Sequence, residues 1–144
     1  MVLLEEINDH NRSELRNIEW ANRQEVNRIN DLVCSHNVKT KKKTYEFYLI
    51  YDDTKPIGLV WLEVDKENES FSILYISVGQ IYHQNRYYKE TITIATNYLI
   101  SQGASKVDAY CEQDNYQLEG VFHEVGFRKA DIVANNKIHL VYTE

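Results

Sequence analysis

The chain is poor in the residues that break or staple a backbone. One proline and five glycines in 144 residues exclude a collagen-like or Pro/Gly-rich disordered chain. Turns must then be built largely from Asn, Asp and those few glycines. The two cysteines, Cys34 and Cys111, have no paired spacing, which excludes a disulfide framework and a cysteine-based zinc site. His10, His36, His83, His123 and His139 are equally scattered, so no metal is expected. No apolar run reaches the ~20 residues that a bilayer-spanning helix needs. Met1 to Ile7 lacks the basic flank and small-residue cleavage site of a signal peptide, so a cytoplasmic location without membrane contact is expected. The net charge of −6 lacks the basic surplus that neutralises phosphates, and nucleic acid is not an expected partner. One basic run, Lys39 with Lys41 to Lys43, reads either as a solvated loop or as a site for a phosphate or an acidic partner.

What is present is ordinary for a globular chain: 43% hydrophobic and 26% charged residues, at a length that buries one core, so residues 1–144 are expected to form a single domain. Met1 to Ile7 reads as a first strand. Asn11 or Ser13 can cap a short helix with Leu15 and Ile18 on one face, and Asn22 a second with Val26, Ile29 and Val33 at helical spacing and Leu32 widening the stripe. Tyr45 to Tyr51 is apolar or aromatic on both faces, which suits a buried strand. Ile57 to Val64 and Phe71 to Val78 follow, joined by the polar turn Asp65 to Asn68, and make a three-strand meander. From Asn85 to Gln102 the period changes: Tyr88, Ile92, Ala95 and Leu99 share a helical face, and Gly103 is placed to end the helix in a left-handed conformation. Lys106 to Cys111 is a further strand, Asn115 to Val125 a further helix stopped at Gly126. Phe127 to Val133 and Lys137 to Tyr142 flank Asn135-Asn136 as a closing hairpin.

Three local features carry a resemblance. Val78, Tyr82 and His83 precede the long helix; Gly103 ends it; and Asn115 is followed by Val121-Phe122-His123-Glu124-Val125-Gly126-Phe127. Together with the element order, these residues resemble the GNAT family of acyl-CoA-dependent N-acyltransferases. The resemblance implies an α/β (α+β) fold with a central mixed, mostly antiparallel sheet of about seven strands and about four flanking helices. It also implies acetyl-CoA as acyl donor and an amine, small-molecule or protein-borne, as acceptor. In that family the loop before the long helix carries Gln or Arg, two residues, Gly, one residue, then Gly or Ala. A helix start supplies unpaired N–H donors there, and glycine lets the pyrophosphate approach the backbone.

Here His83, Arg86 and Tyr88 occupy those three positions, so both glycines are replaced. The resemblance leaves two readings. In one, His83, Arg86 and Lys89 contact phosphate through side chains, with Tyr88 at the second glycine position; in the other, they are an exposed helix start. The backbone of Ile76 to Val78 would pair with the pantetheine arm, and Asn115 would hold the arm or cap its helix. The late tyrosine that many members use to protonate the departing thiolate is Phe122 here, and His123, about 100° round the helix, is no simple substitute. Glu63, Tyr75 and Glu112 are the candidates for proton transfer, or an ordered water. The rival to an enzyme is a non-catalytic binding or regulatory module of the same fold, whose partner surface would be Tyr82, Tyr87 and Tyr88.

Overall fold

The computed structural model describes residues 1–35, 45–133 and 136–144; Lys39, Lys41 to Lys43 and His36 lie outside them. One seven-stranded sheet runs in the order β1-β2-β3-β4-β5-β7-β6. Its strands are β1 (Val2–Glu6), β2 (Tyr45–Asp52), β3 (Lys55–Asp65), β4 (Ser70–Val78), β5 (Lys106–Glu112), β6 (Arg128–Val133) and β7 (Lys137–Thr143). The helices are α1 (Arg23–Ser35), α2 (Asn85–Ser101) and α3 (Tyr116–Val125), with 3-10 stretches at Arg12–Asn17 and Gln80–Tyr82. All pairings are antiparallel except β4 with β5. That parallel step needs a crossover, and α2 supplies it.

The first expected helix is a six-residue 3-10 stretch. Asn11 does not cap it; the Asn11 side chain instead accepts from Asn8 N–H and donates to the Glu6 carbonyl, holding the chain in a turn that competes with helix. Leu15 and Ile18 are nevertheless buried. Asn22 does cap α1, its Oδ1 accepting Glu25 N–H at 2.8 Å.

Strand alternation divides the core between the two faces. Ile50, Val60 and Leu62 face α2 and α3, packing with Ile92, Ala95, Leu99, Phe122 and Phe127. Leu49 and Leu59, their immediate neighbours, face the other way onto Leu15, Ile18 and Ile29. A sheet covered on both sides accounts for the aromatic and β-favouring residues on both faces of β2. Gly103 and Gly126 follow α2 and α3 at φ 112° and 122°, the left-handed region that glycine enters without a Cβ penalty.

β3 approaches β4 closely at Gly58, which pairs with Val78. A Cβ at Gly58 would stand 2.3 Å from the Ser77 carbonyl oxygen. Among the described residues no helix is long and apolar enough to cross a membrane.

Candidate active site

A site between two parallel strands begins where they stop pairing. β4 and β5 are joined by just two residue pairs, Ser72 with Asp108 and Ile73 with Ala109. At the next residue β4 bulges: Trp61 faces Tyr75 while Leu62 faces Ile73, so Leu74 has no counterpart on β3. An extra residue bends and twists the strand that carries it, and from there β4 and β5 diverge. Between them opens a cleft of about 200 Å³, walled by Leu74 to Val78 on one side and Tyr110 to Glu112 on the other. Past Ile73 the β4 backbone groups that would have bonded β5 have no strand partner.

Alternation on β4 aims Tyr75 and Ser77 at α1. Both hydroxyls donate to one oxygen of Glu25, Oε1: Ser77 Oγ at 2.6 Å, and Tyr75 through its phenol. Glu25 lines the cleft, and its Oε2 makes no hydrogen bond to a described residue. Burial, then the hydrogen bond and charge of Glu25, push the Tyr75 phenol well above its ordinary pKa, so it remains a neutral donor. Sequence reasoning missed Glu25. One signal was there: Asn22 and Glu25 have capping-box spacing. Asn22 caps Glu25 N–H as the box requires, but the Glu25 carboxylate turns to β4.

The structure brings most of the expected residues together. Tyr75, Ile76, Val78, His83, Tyr88, Glu112 and Asn115 all line the cleft. His83 Nε2 lies 3.0 Å from the Val78 carbonyl oxygen, and its ring is 6.2 Å from that of Tyr88. Asn115 serves as cap as well as wall, its Oδ1 accepting Leu118 N–H at 3.1 Å. Glu112 faces Arg28 at 4.0 Å, both side chains nearly half exposed, a pairing worth little by itself.

Three expected residues are not in the cleft wall. Glu63 is 6% exposed and bound by Ser70 Oγ at 2.7 Å and Ser72 Oγ at 3.3 Å; it lies opposite Ser72, before the bulge that opens the cleft. Arg86 stacks its guanidinium 4.4 Å over the Tyr87 ring and donates to the Tyr87 hydroxyl at 2.6 Å. That hydroxyl in turn donates to Asp52 at 3.1 Å. Lys89 extends to Glu124 at 3.8 Å. The proposed tyrosine partner surface is corrected too: Tyr87 and Tyr88 are each 6% exposed and belong to the core, and Tyr82 packs edge-on against Tyr87 at 5.3 Å.

The loop before α2 keeps much of its backbone occupied. Gly79 N–H donates to Ile57 O, Gln80 N–H to Glu19 O, Tyr82 N–H to Gly79 O and Gln84 N–H to Tyr82 O. Gln84, at the N-cap of α2, makes no side-chain cap; Tyr87 N–H bonds the Gln84 carbonyl at 3.1 Å, which leaves the Asn85 and Arg86 N–H groups for an anion. Gln117 of α3 ties this corner, donating to the His83 carbonyl and to Asn85 Oδ1, each at 3.0 Å.

Phe122 is fully buried against Phe127, ring centroids 5.0 Å apart, and His123 turns to the Phe127 carbonyl at 3.1 Å. Neither belongs to the cleft wall. Cys111 does, but burial, then the Glu119 and Glu112 carboxylates, push its thiol up to about 11. A thiol so protonated is a poor nucleophile at neutral pH. Among the described residues no cluster of three or more His, Cys, Asp or Glu side chains could hold a metal ion.

Comparison with known proteins bears directly on this architecture. The fold is similar to the spermidine N-acetyltransferase of Vibrio cholerae solved with CoA and spermine, at TM-score 0.76 and 13% identity over 99% of this chain and 95% of that one. It is equally similar to a putative GNAT-family acetyltransferase of Desulfovibrio desulfuricans, at TM-score 0.76 and 11% identity over 99% of each chain. The PaiA N-acetyltransferase of Thermoplasma acidophilum, solved with coenzyme A, matches at TM-score 0.71 and 10% identity over 100% of this chain and 99% of that one. No curated protein matches by sequence. At such identities the structural likeness establishes the fold alone. The family model for acetyltransferases of the GNAT family, however, matches residues 5–127, a span that takes in the β4 bulge, the cleft wall except Lys137 and the Gly126-Phe127 signature, and the chain belongs to that family.

Proposed function

We propose that residues 1–144 act as one acyl-CoA-dependent N-acetyltransferase domain that passes an acetyl group to a small cationic amine in the β4/β5 cleft. The observation that carries this reading is the unpaired β4 edge over Leu74 to Val78, with Glu25 lining the same cleft. An extended arm bearing amides can pair with such an edge as a further strand would.

The fit to coenzyme A is uneven along its length. The cleft suits the acyl-pantetheine end, with the β4 backbone for the arm and Asn115 beside it. The pyrophosphate end has a degenerate loop without the two glycines of the family pattern, whose phosphate contacts reduce to the Asn85 and Arg86 N–H groups at the start of α2 and the exposed His83. Arg86 and Lys89 are held by other partners.

The chain's own groups divide the work. Glu25 takes the proton from the attacking amine, because its Oε2 has no hydrogen-bond partner among the described residues while Oε1 is steadied by Tyr75 and Ser77. The cleft wall carries two carboxylates, Glu25 and Glu112, against two cations, Arg28 and Lys137, so its charges balance; the choice of a cationic acceptor is instead in keeping with the polyamine named for the Vibrio cholerae neighbour. Direct attack by the amine is the course favoured here, because burial and the Glu119 and Glu112 carboxylates keep the Cys111 thiol protonated and a poor nucleophile at neutral pH. Rate then comes from positioning and proton transfer. A cytoplasmic location goes with this reading as part of the proposal.

A second reading has its own support: the occupied loop N–H groups and the diverted Arg86 suit a binding or regulatory module of the same fold. Calorimetric titration of acetyl-CoA, followed by thiol release with a panel of mono-, di- and polyamines, separates the two. Micromolar binding with turnover is expected. Absence of binding at millimolar acetyl-CoA overturns the enzyme reading, and tight binding without turnover on any amine favours the module.

A further inference from the structure

The family's late tyrosine position is occupied by Phe122, fully buried and unable to give up a proton, yet a thiolate leaving the cleft needs one. Three tyrosines line the cleft: Tyr75, Tyr88 and Tyr110. The Tyr75 hydroxyl is committed to Glu25. Tyr110 is stacked at 5.0 Å on His139, whose ring nitrogens lie 2.7 Å from Asp108 and 3.0 Å from Asp131. Tyr88 is different. It enters from α2, on the opposite face of β4 from Glu25, its ring held by the core at 6% exposure and by His83. Its hydroxyl makes no hydrogen bond to any described residue.

We propose that Tyr88 is the proton donor to the departing thiolate, a role carried on α2 in place of the late-helix tyrosine. This rests on the acetyltransferase reading above. In the balanced step, the amine nitrogen forms the C–N bond and the C–S bond breaks. The amine's proton goes to Glu25, and the phenol proton of Tyr88 goes to sulfur. Tyr88 regains a proton from Glu25 through cleft water, so amine and thioester become amide and thiol with nothing left over. Burial, then the negative charge of Glu25, push the Tyr88 phenol up to about 12, which keeps it protonated throughout the working pH range. The same feature ties it electrostatically to the group that must return its proton. The departure from the family pattern also acquires a reason: the residue that displaces the second loop glycine brings the hydroxyl that Phe122 lacks.

The test compares free coenzyme A with desulfo-coenzyme A on the wild-type protein by calorimetry, then repeats the pair on Tyr88→Phe, which keeps the ring and its packing. A hydrogen bond to sulfur should give the wild type about tenfold preference for coenzyme A, and Tyr88→Phe none. With acetyl-CoA and the best amine of the panel, kcat of Tyr88→Phe should fall by about 10²-fold or more at unchanged KM, with thermal unfolding within a few degrees of wild type. Absence of the sulfur preference in the wild type overturns the proposal without any substitution. So does a Tyr88→Phe variant that keeps kcat within threefold, while the enzyme reading stands. A wild type that binds no acetyl-CoA and acetylates no amine brings down both.

Discussion

Replacing Gly58 with alanine adds one methyl group at the tightest approach between β3 and β4. That Cβ would stand 2.3 Å from the Ser77 carbonyl oxygen, 2.9 Å from Val78 Cα and 3.0 Å from Val78 Cγ1. Ordinary contact begins at 3.4 Å, so the nearest approach is short by about 1.1 Å. Two of the three obstructing atoms are backbone, and no rotamer change removes them. Gly58 is not at positive φ, so the penalty is purely steric. Overpacking of this kind costs about 1–3 kcal/mol, and the backbone obstruction places Gly58→Ala near the top of that range. The unfolded chain loses freedom with the same change, which offsets about 0.4–1 kcal/mol. A net loss of about 2 kcal/mol lowers Tm by roughly 4–8 °C in a domain of this size. Gly120→Ala is the matched control: in mid-α3 its Cβ meets nothing within 4 Å, and the helix gains up to about 1 kcal/mol, so Tm should rise. Paired melts followed by circular dichroism read both. If Gly58→Ala unfolds within 2 °C of wild type, β3 and β4 can separate freely at Ser77 and Val78, and the description of a fixed cleft wall there is wrong.

Other changes probe the site directly. Glu25→Gln keeps an oxygen for Tyr75 and Ser77 but cannot take a proton, so thiol release should slow by about 10²-fold or more while the melt holds; a rate within threefold of wild type would remove Glu25 from the chemistry. Asn115→Ala loses the α3 cap at Leu118 N–H and should cost about 1 kcal/mol, or about 2–4 °C, by thermal unfolding. Cys111 holds its proton to about pH 11, above the ordinary thiol value of 9. The stability linked to it is therefore complete below pH 9 and lost as pH rises toward 11. In a Cys34→Ser background, native labelling by a thiol reagent should keep accelerating up to about pH 11, and a plateau below pH 9 would contradict the burial argument.

Local chemistry made much of the fold legible. The helical period beginning at Asn85 and the glycine at 103 mark α2, observed as Asn85–Ser101. The doubly apolar run from Tyr45 is β2, observed as Tyr45–Asp52 and covered on both faces. Both signals depend on neighbours within a few residues. What escaped depends on distant partners. Glu25 acquires its meaning from Tyr75 and Ser77, some fifty residues on, and its own spacing announces only a helix start. Glu63 drew attention as a carboxylate on a central strand, but its exclusion from the cleft follows from a bulge at Leu74 that no residue type signals. Arg86 stands where a phosphate contact would be useful, and its capture by Tyr87 and Asp52 depends on β2 passing that corner.

The two residue pairs joining β4 to β5 also have a mechanical meaning. They divide the sheet into two antiparallel blocks, β1 to β4 and β5 with β7 and β6, each zipped by many more pairs than the seam between them. Local opening follows the weakest contiguous set of bonds, so backbone amides at this seam should exchange with solvent sooner than those in the middle of either block. A ligand that bridged the blocks past Ile73 and Ala109 would bind the closed seam and not the opened one, slowing that exchange in proportion to its occupancy. Amide exchange at the seam would then register binding in the cleft before any substrate for the reaction is known.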